Sequence, residues 1–148
     1  DEDKKLTGFV SQRDIISALG DPGFMQKKVA DIMTKKVIST AKDTPLEEVS
    51  NLFSESPIKY LPVVDGGKLV GVVTEETIIQ HVYGHRDLMN APVPDALKTA
   101  FIKLDKSASL NNLVAMLQVQ PYAAIMDGED FLGLITRSDV LNYLRRDA

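Results

Sequence analysis

The stretch KLVGVVTEETIIQHV (residues 68–82) runs from a glycine-marked apolar segment, through a threonine, into an amphipathic segment. The same figure stands upstream as LTGFVSQRDIISAL (residues 6–19) and downstream as FLGLITRSDVLNYL (residues 131–144). Gly8, Gly71 and Gly133 are in register, as are Ser11, Thr74 and Thr136, at spacings of 63 and 62. A repeat of that length signals duplicated supersecondary units. One such unit is too small to bury a core alone.

Working outward from residues 68–82, Asp65-Gly66-Gly67 reads as a tight turn preceded by a strand over residues 60–64, so the pair forms a hairpin. Ile78, Ile79 and Val82 are expected to form the buried face of the helix that follows. Before the hairpin, Leu46, Val49, Leu52 and Phe53 recur at helical spacing. Thr44, Pro45 and Glu47 suit the cap, first position and capping box of that helix, and Ser56-Pro57 breaks it. A short strand is expected over residues 37–39 and a short apolar turn over 29–33. The later copy repeats this order. It has a strand over residues 101–104, Ser107 as a cap, and a helix bearing Leu110, Leu113, Val114 and Leu117. A hairpin turning at residues 127–130 follows, and Val140, Leu141 and Leu144 close the unit.

Spacing between the two copies is 64 at the first helix and 62 at the hairpin. Two residues are therefore missing before Tyr122, and that loss should reshape any cavity beside it. Residues 84–97 read as a linker in which Pro92 and Pro94 discourage regular structure. The earliest copy lacks a front half. Three segments are expected: an incomplete repeat over residues 1–23, then complete units over 24–86 and 87–148. The fold class is α+β, built from β-α-β-β-α units packed through their sheets with pseudo-twofold symmetry.

Composition limits the function. The 148 residues are 44% hydrophobic, enough for a core. A formal charge of −4, with no basic block longer than pairs such as Lys27-Lys28, argues against a nonspecific nucleic-acid binder. Cysteine is absent, which excludes disulfides and thiolate chemistry and fits the cytoplasm. No apolar run approaches the roughly 20 residues of a membrane-spanning helix. DEDKKLTG has no signal-peptide pattern, and a strand so early suggests a segment of something longer. His81 and His85 stand four apart without a H-E-x-x-H motif, so no metal site is expected. Ser138 beside Asp139 has no placed base, and no carboxylate pair can be spaced for hydrolysis. No catalytic residue is assigned, and the chain is not expected to be an enzyme by itself.

The segments MTKKVISTAKDTPLEEVSNLF and KYLPVVDGGKLVGVVTEETII resemble a CBS motif, the unit of the regulatory pair called a Bateman module. FIKLDKSASLNNLVAML with AAIMDGEDFLGLITRSDVLNYLRR resembles its partner motif. The closing part, with ETIIQHVYG, is similar in particular to the C-terminal regulatory region of bacterial, pyridoxal-phosphate-dependent cystathionine β-synthases. The resemblance implies two clefts between the motifs that take AMP, ADP, ATP or S-adenosylmethionine as a regulatory ligand. It also implies a homodimer through the motifs, and control of an attached catalytic domain or partner enzyme. In such families a G-h-x-T/S-x-x-D figure binds ribose hydroxyls, and the strand before the hairpin contacts the base. Thr136 and Asp139 match the figure, and Ile58, Lys59, Tyr60, Leu61 and Pro62 match the base-side strand. In the other cleft Thr74 matches, but Thr77 replaces the aspartate, with Tyr122 and Ala123 on the base side. Ser11 and Asp14 keep the figure in the incomplete copy.

Physical reasoning supports the same residues. A carboxylate three residues after a threonine, in the first helical turn, can turn both oxygens to one point. It accepts both hydrogen bonds of a cis-diol, which would be costly to bury unpaired. Phosphates would need Lys59, Lys103, Arg137 or helix N-terminal N–H groups. Thr136 and Asp139 equally suit a plain helix cap, and both readings stand here. Ligand-free dimerisation or autoinhibition is the alternative function. Gly71 and Gly133 read as close-packing positions between strand and helix.

Overall fold

The computed structural model describes residues 10–11, 22–33, 37–93 and 100–147. The strand and helix expected over residues 6–19 lie outside them, apart from Val10 and Ser11. Among the described residues two short helices come first, α1 (Pro22–Met25) and α2 (Val29–Ile32). The first unit is β1 (Thr40–Ala41), α3 (Leu46–Glu55), β2 (Leu61–Asp65), β3 (Lys68–Val73) and α4 (Glu75–Val82). The second is β4 (Lys103–Asp105), α5 (Leu110–Val119), β5 (Tyr122–Asp127), β6 (Asp130–Thr136) and α6 (Arg137–Asp147).

Each unit makes a three-stranded sheet, ordered β1-β2-β3 and β4-β5-β6. The first two strands of each are parallel and the last two antiparallel. A parallel pair needs a long crossover, which α3 and α5 provide. The antiparallel pairs need only tight turns; Gly66 and Gly67 supply the positive φ of 56° and 81° that a two-residue hairpin requires. Both hairpins shift register at matching places, between Val63/Val64 and between Ile125/Met126.

Tyr122, Ala123, Ala124, Ile125 and Met126 are all buried, because β5 has cover on both faces. One face packs on helices, with Ala123 and Ile125 among Leu110, Leu113, Leu117 and Val140. The opposite face meets the other sheet, where Leu69 joins Ala124 and Met126 against Phe131 and Leu134. The units are thus packed through their sheets in pseudo-twofold fashion. Tyr60 and Tyr122 are equivalent positions, and their rings meet with centroids 4.7 Å apart.

The units also exchange their lead-in segments. Leu46 N–H donates to Ala91 C=O (3.1 Å), and Val93 N–H to Thr44 C=O (3.2 Å). At matching positions, Leu110 N–H donates to Lys27 C=O (2.8 Å) and Val29 N–H to Ala108 C=O (2.9 Å). Every partner in the first pair stands 64 before or after its counterpart in the second. Val93 is therefore fully buried in the first unit's core, and Val29 in the second's. The lead-in to each unit completes the other.

Several sequence expectations are corrected by this arrangement. Thr44 does not cap α3; Pro45 holds that place without a side-chain hydrogen bond, and Ala91 C=O satisfies the helix's first N–H instead. Thr44 Oγ1 accepts from Thr40 Oγ1. Ser109, not Ser107, caps α5 by accepting from Asn112 N–H, while Ser107 turns back to Asp105. The first strand is residues 40–41 rather than 37–39, since only Thr40 and Ala41 pair with β2. Ile79 is 62% exposed, because the buried side of α4 is Thr77 and Ile78. Residues 86–90 of the linker form a 3-10 helix, Arg86–Asn90.

Each exchanged valine should act as core of the unit it enters. Val29→Ala and Val93→Ala should each cost about 2 kcal/mol. Both variants should still unfold in one transition seen by chemical denaturation. Separate transitions for the two halves would contradict a mutual exchange.

Candidate functional site

Two cavities lie on either side of the Tyr60–Tyr122 contact. The first, about 390 Å³, collects residues from both units: Ile58, Lys59, Tyr60 and Pro62 from one, Thr136, Arg137 and Asp139 from the other. Leu61, also expected there, does not line it. Strand side chains alternate, and Leu61 is fully buried in the first unit's core. The second cavity, about 510 Å³, has Thr74, Glu75, Glu76, Gln120 and Tyr122 in its wall, with Lys59, Tyr60 and Pro121 shared between both. Ala123 turns into the core for the same reason as Leu61.

At the first cavity the strand β6 ends on Thr136 and α6 begins at once. Asp139 Oδ2 accepts both Thr136 N–H (2.8 Å) and Thr136 Oγ1–H (2.9 Å), and Asp139 N–H donates back to Thr136 Oγ1 (3.2 Å). The pair is a helix cap. Capping occupies Oδ2, while Oδ1 has no protein partner among the described residues. The half-buried carboxylate therefore keeps acceptor capacity while its position is fixed by three hydrogen bonds.

The equivalent cap at the second cavity is built from hydroxyls. Thr74 N–H donates to Thr77 Oγ1 (2.9 Å), Thr77 N–H to Thr74 Oγ1 (3.1 Å), and Thr77 Oγ1–H to Thr74 C=O (2.8 Å). Thr77 is buried and does not line the cavity. Its single hydroxyl proton is spent within the cap. No carboxylate oxygen is left over at that position.

The missing residues before Tyr122 have a visible result. Five residues separate α3 from β2, but two separate α5 from β5. The shorter connection brings Tyr122 directly onto Tyr60. Burial, and then the neighbouring Tyr60, push the Tyr122 phenol above its ordinary range, so it remains a neutral wall.

Several of the first cavity's lining residues had no signal in the motif. Asn142 follows Ser138 and Asp139 on one face of α6, a neighbour that helical spacing identifies once the helix is placed. Val37 and Ile38 come from the lead-in to β1. Gly133 admits them: a Cβ there would come within 2.9 Å of Val37 Cγ2. Its close packing is thus against the other unit's chain, not a strand–helix contact. Lys103 lines neither cavity; its Nζ lies over the Phe101 ring at 5.6 Å. Of the incomplete copy's figure, Ser11 is described and Asp14 lies outside the described residues.

Other chemistry finds few parts. Among the described residues no group of three or more His, Cys, Asp or Glu could hold a metal, and no helix is long and apolar enough to cross a membrane. Among the described residues, His81 Nε2 is buried without a hydrogen-bond partner.

Comparison with known proteins agrees with this architecture. The CBS domain family profile matches residues 29–84 and again 86–146. A solved protein from Methanocaldococcus jannaschii superimposes with a TM-score of 0.80 at 23% identity, over 91% of this chain and 54% of that one. A CBS domain-containing protein from Bacillus anthracis gives 0.75 at 23% identity, over 85% and 98%. These likenesses establish the fold. The magnesium transporter MgtE of Thermus thermophilus is 42% identical over 80 residues, which is 53% of this chain and 17% of that protein. An A-adding tRNA nucleotidyltransferase of Geobacter sulfurreducens is 25% identical over 120 residues, 80% of this chain and 13% of that protein. This chain thus spans a small part of each of these two relatives.

Replacing Gly133 should disturb the cavity through Val37. Gly133→Ala should cost roughly 1–3 kcal/mol as overpacking, read by thermal or chemical unfolding. Gly128→Ala, at a turn with φ of 59° and open space around it, should be destabilising only through its backbone. Unchanged stability in Gly133→Ala would show that Val37 yields freely.

Proposed function

The chain belongs to the CBS domain family, and from that premise we propose that it is a ligand-sensing regulatory module, not an enzyme. Its first cavity binds the adenosyl group of AMP, ADP, ATP or S-adenosylmethionine, and binding biases the packing of the two units. The observation that carries this reading is Asp139, fixed by Thr136 with one carboxylate oxygen to spare, in a cavity whose opposite wall is Ile58, Lys59 and Tyr60. Ribose hydroxyls donate to the spare oxygen, and the base lies against the strand-side wall. Thr74 and Tyr122 form a poorer second site, since the cap there offers no carboxylate. Residues 24–86 and 87–148 are the two motifs on this reading, and 1–23 the remainder of another, with Ser11 and Asp14 as its residual figure.

Because the cavity is walled by both units, a ligand that fits one relative placement better than another shifts the balance between them. The target is an attached catalytic or transport domain, or a partner enzyme in the cytoplasm. The sequence resemblance makes a cystathionine β-synthase one such target.

Calorimetric titration with the four adenosyl compounds tests the proposal, and at least one should bind. Asp139→Asn, which keeps an acceptor for the cap, should weaken binding by about tenfold or more, with the melting temperature nearly unchanged. Unaltered affinity in that variant would remove the ribose assignment.

Exposed side chains favour a second reading, ligand-independent dimerisation or autoinhibition. Ile79 and Tyr83, one helical turn apart, are 62% and 84% exposed. On that reading sedimentation shows a dimer indifferent to nucleotides and dissociated by Ile79→Glu. A monomer, or a dimer untouched by that substitution, would count against it.

A further inference from the structure

Pseudo-twofold symmetry makes Arg137 and Glu75 equivalent: each directly follows the threonine that caps its helix, and they stand 62 apart. Each lines its own cavity. The symmetry is therefore kept in shape and reversed in charge. Lys59 is common to both walls. Among the described residues the first cavity adds Arg137 and Asp139 to it, a net excess of positive charge, whereas the second adds only the acidic Glu75 and Glu76.

Arg137 is also held in place. Its Nε–H donates to Leu117 C=O at 2.6 Å, one of the carbonyls left without a helical partner at the end of α5. Among the described residues it makes no ion pair, so its remaining N–H donors and its charge are not neutralised by a carboxylate. A guanidinium fixed through one nitrogen loses little entropy when its other nitrogens grip a phosphate, and its planar fork suits phosphate oxygens.

We propose that Arg137 makes the first cavity selective for a 5′-phosphorylated nucleoside over neutral or cationic adenosyl compounds, and that Glu75 denies the second cavity the same ligand. This rests on the adenosyl reading of the first cavity and narrows it: S-adenosylmethionine, whose sulfonium and ammonium charges outweigh its one carboxylate, falls in the disfavoured class.

The test is calorimetry on the whole chain with AMP, adenosine and S-adenosylmethionine. AMP should bind about tenfold or more tightly than adenosine, and more tightly than S-adenosylmethionine. Arg137→Gln should weaken AMP several-fold more than it weakens adenosine, lowering the AMP-to-adenosine ratio. Lys103→Gln, the same loss of charge outside both cavities, should leave the ratio as it was. Raising salt should weaken AMP and spare adenosine. Equal binding of AMP and adenosine by the unaltered protein would overturn the proposal while leaving the adenosyl reading intact, as would an unchanged ratio in Arg137→Gln. Binding of none of the three, nor of ADP or ATP, by folded protein would overturn both. If Arg137→Gln does not fold, the unaltered protein's ratio and its salt dependence decide the matter.

Discussion

The four exchanged backbone hydrogen bonds at Leu46, Val93, Leu110 and Val29 are the constraint on which the rest of the structure depends. A helix begins with N–H groups that have no partner of their own. Here the leading N–H of each unit's first helix is met by a carbonyl from the lead-in segment of the other unit. The same segments then insert Val29 and Val93 into the partner cores. Neither unit is complete without the other. Their relative placement, and with it the shape of any cavity between them, is tied to core formation.

That placement makes the cavities composite. Thr136 and Asp139 stand at the end of a strand in one unit, whereas Ile58, Lys59 and Tyr60 precede a strand in the other. Close approach is possible because Gly133 carries no side chain where Val37 passes, and because the shortened connection before β5 lets Tyr122 rest on Tyr60. The Lys68–Glu129 pair joins the two hairpin ends at 2.8 Å. Both partners are largely exposed, so it adds little to stability.

Much of the fold was legible because it is local. Leu46, Val49 and Phe53, like Leu110, Leu113 and Leu117, recur at the spacing of one helix face, and the glycine turns mark the hairpins without reference to anything distant. The exchange was not legible. Val29 and Val93 each fit an ordinary local reading, and nothing near them specifies which core they enter. Thr44 failed as a cap for a related reason: the N–H it would have served was already met by Ala91, 45 residues further along. At the site, the threonine–carboxylate figure and Arg137 as a candidate phosphate group could be read from the sequence, but Val37 became visible only with the two units assembled. The charge reversal between Arg137 and Glu75 was present in the repeat register from the start. It gained meaning once both side chains were seen to line equivalent cavities.

Of the two cavities, the one at Thr136 and Asp139 is the preferred ligand site on the proposed function. Backbone amide chemical shifts recorded by NMR as AMP is added address it most directly. Progressive shifts are expected at Thr136, Arg137 and Asp139 and at Ile58 and Lys59, with Thr74, Glu75 and Thr77 little changed. Shifts centred on Thr74 and Glu75, or none at either cavity, would contradict it.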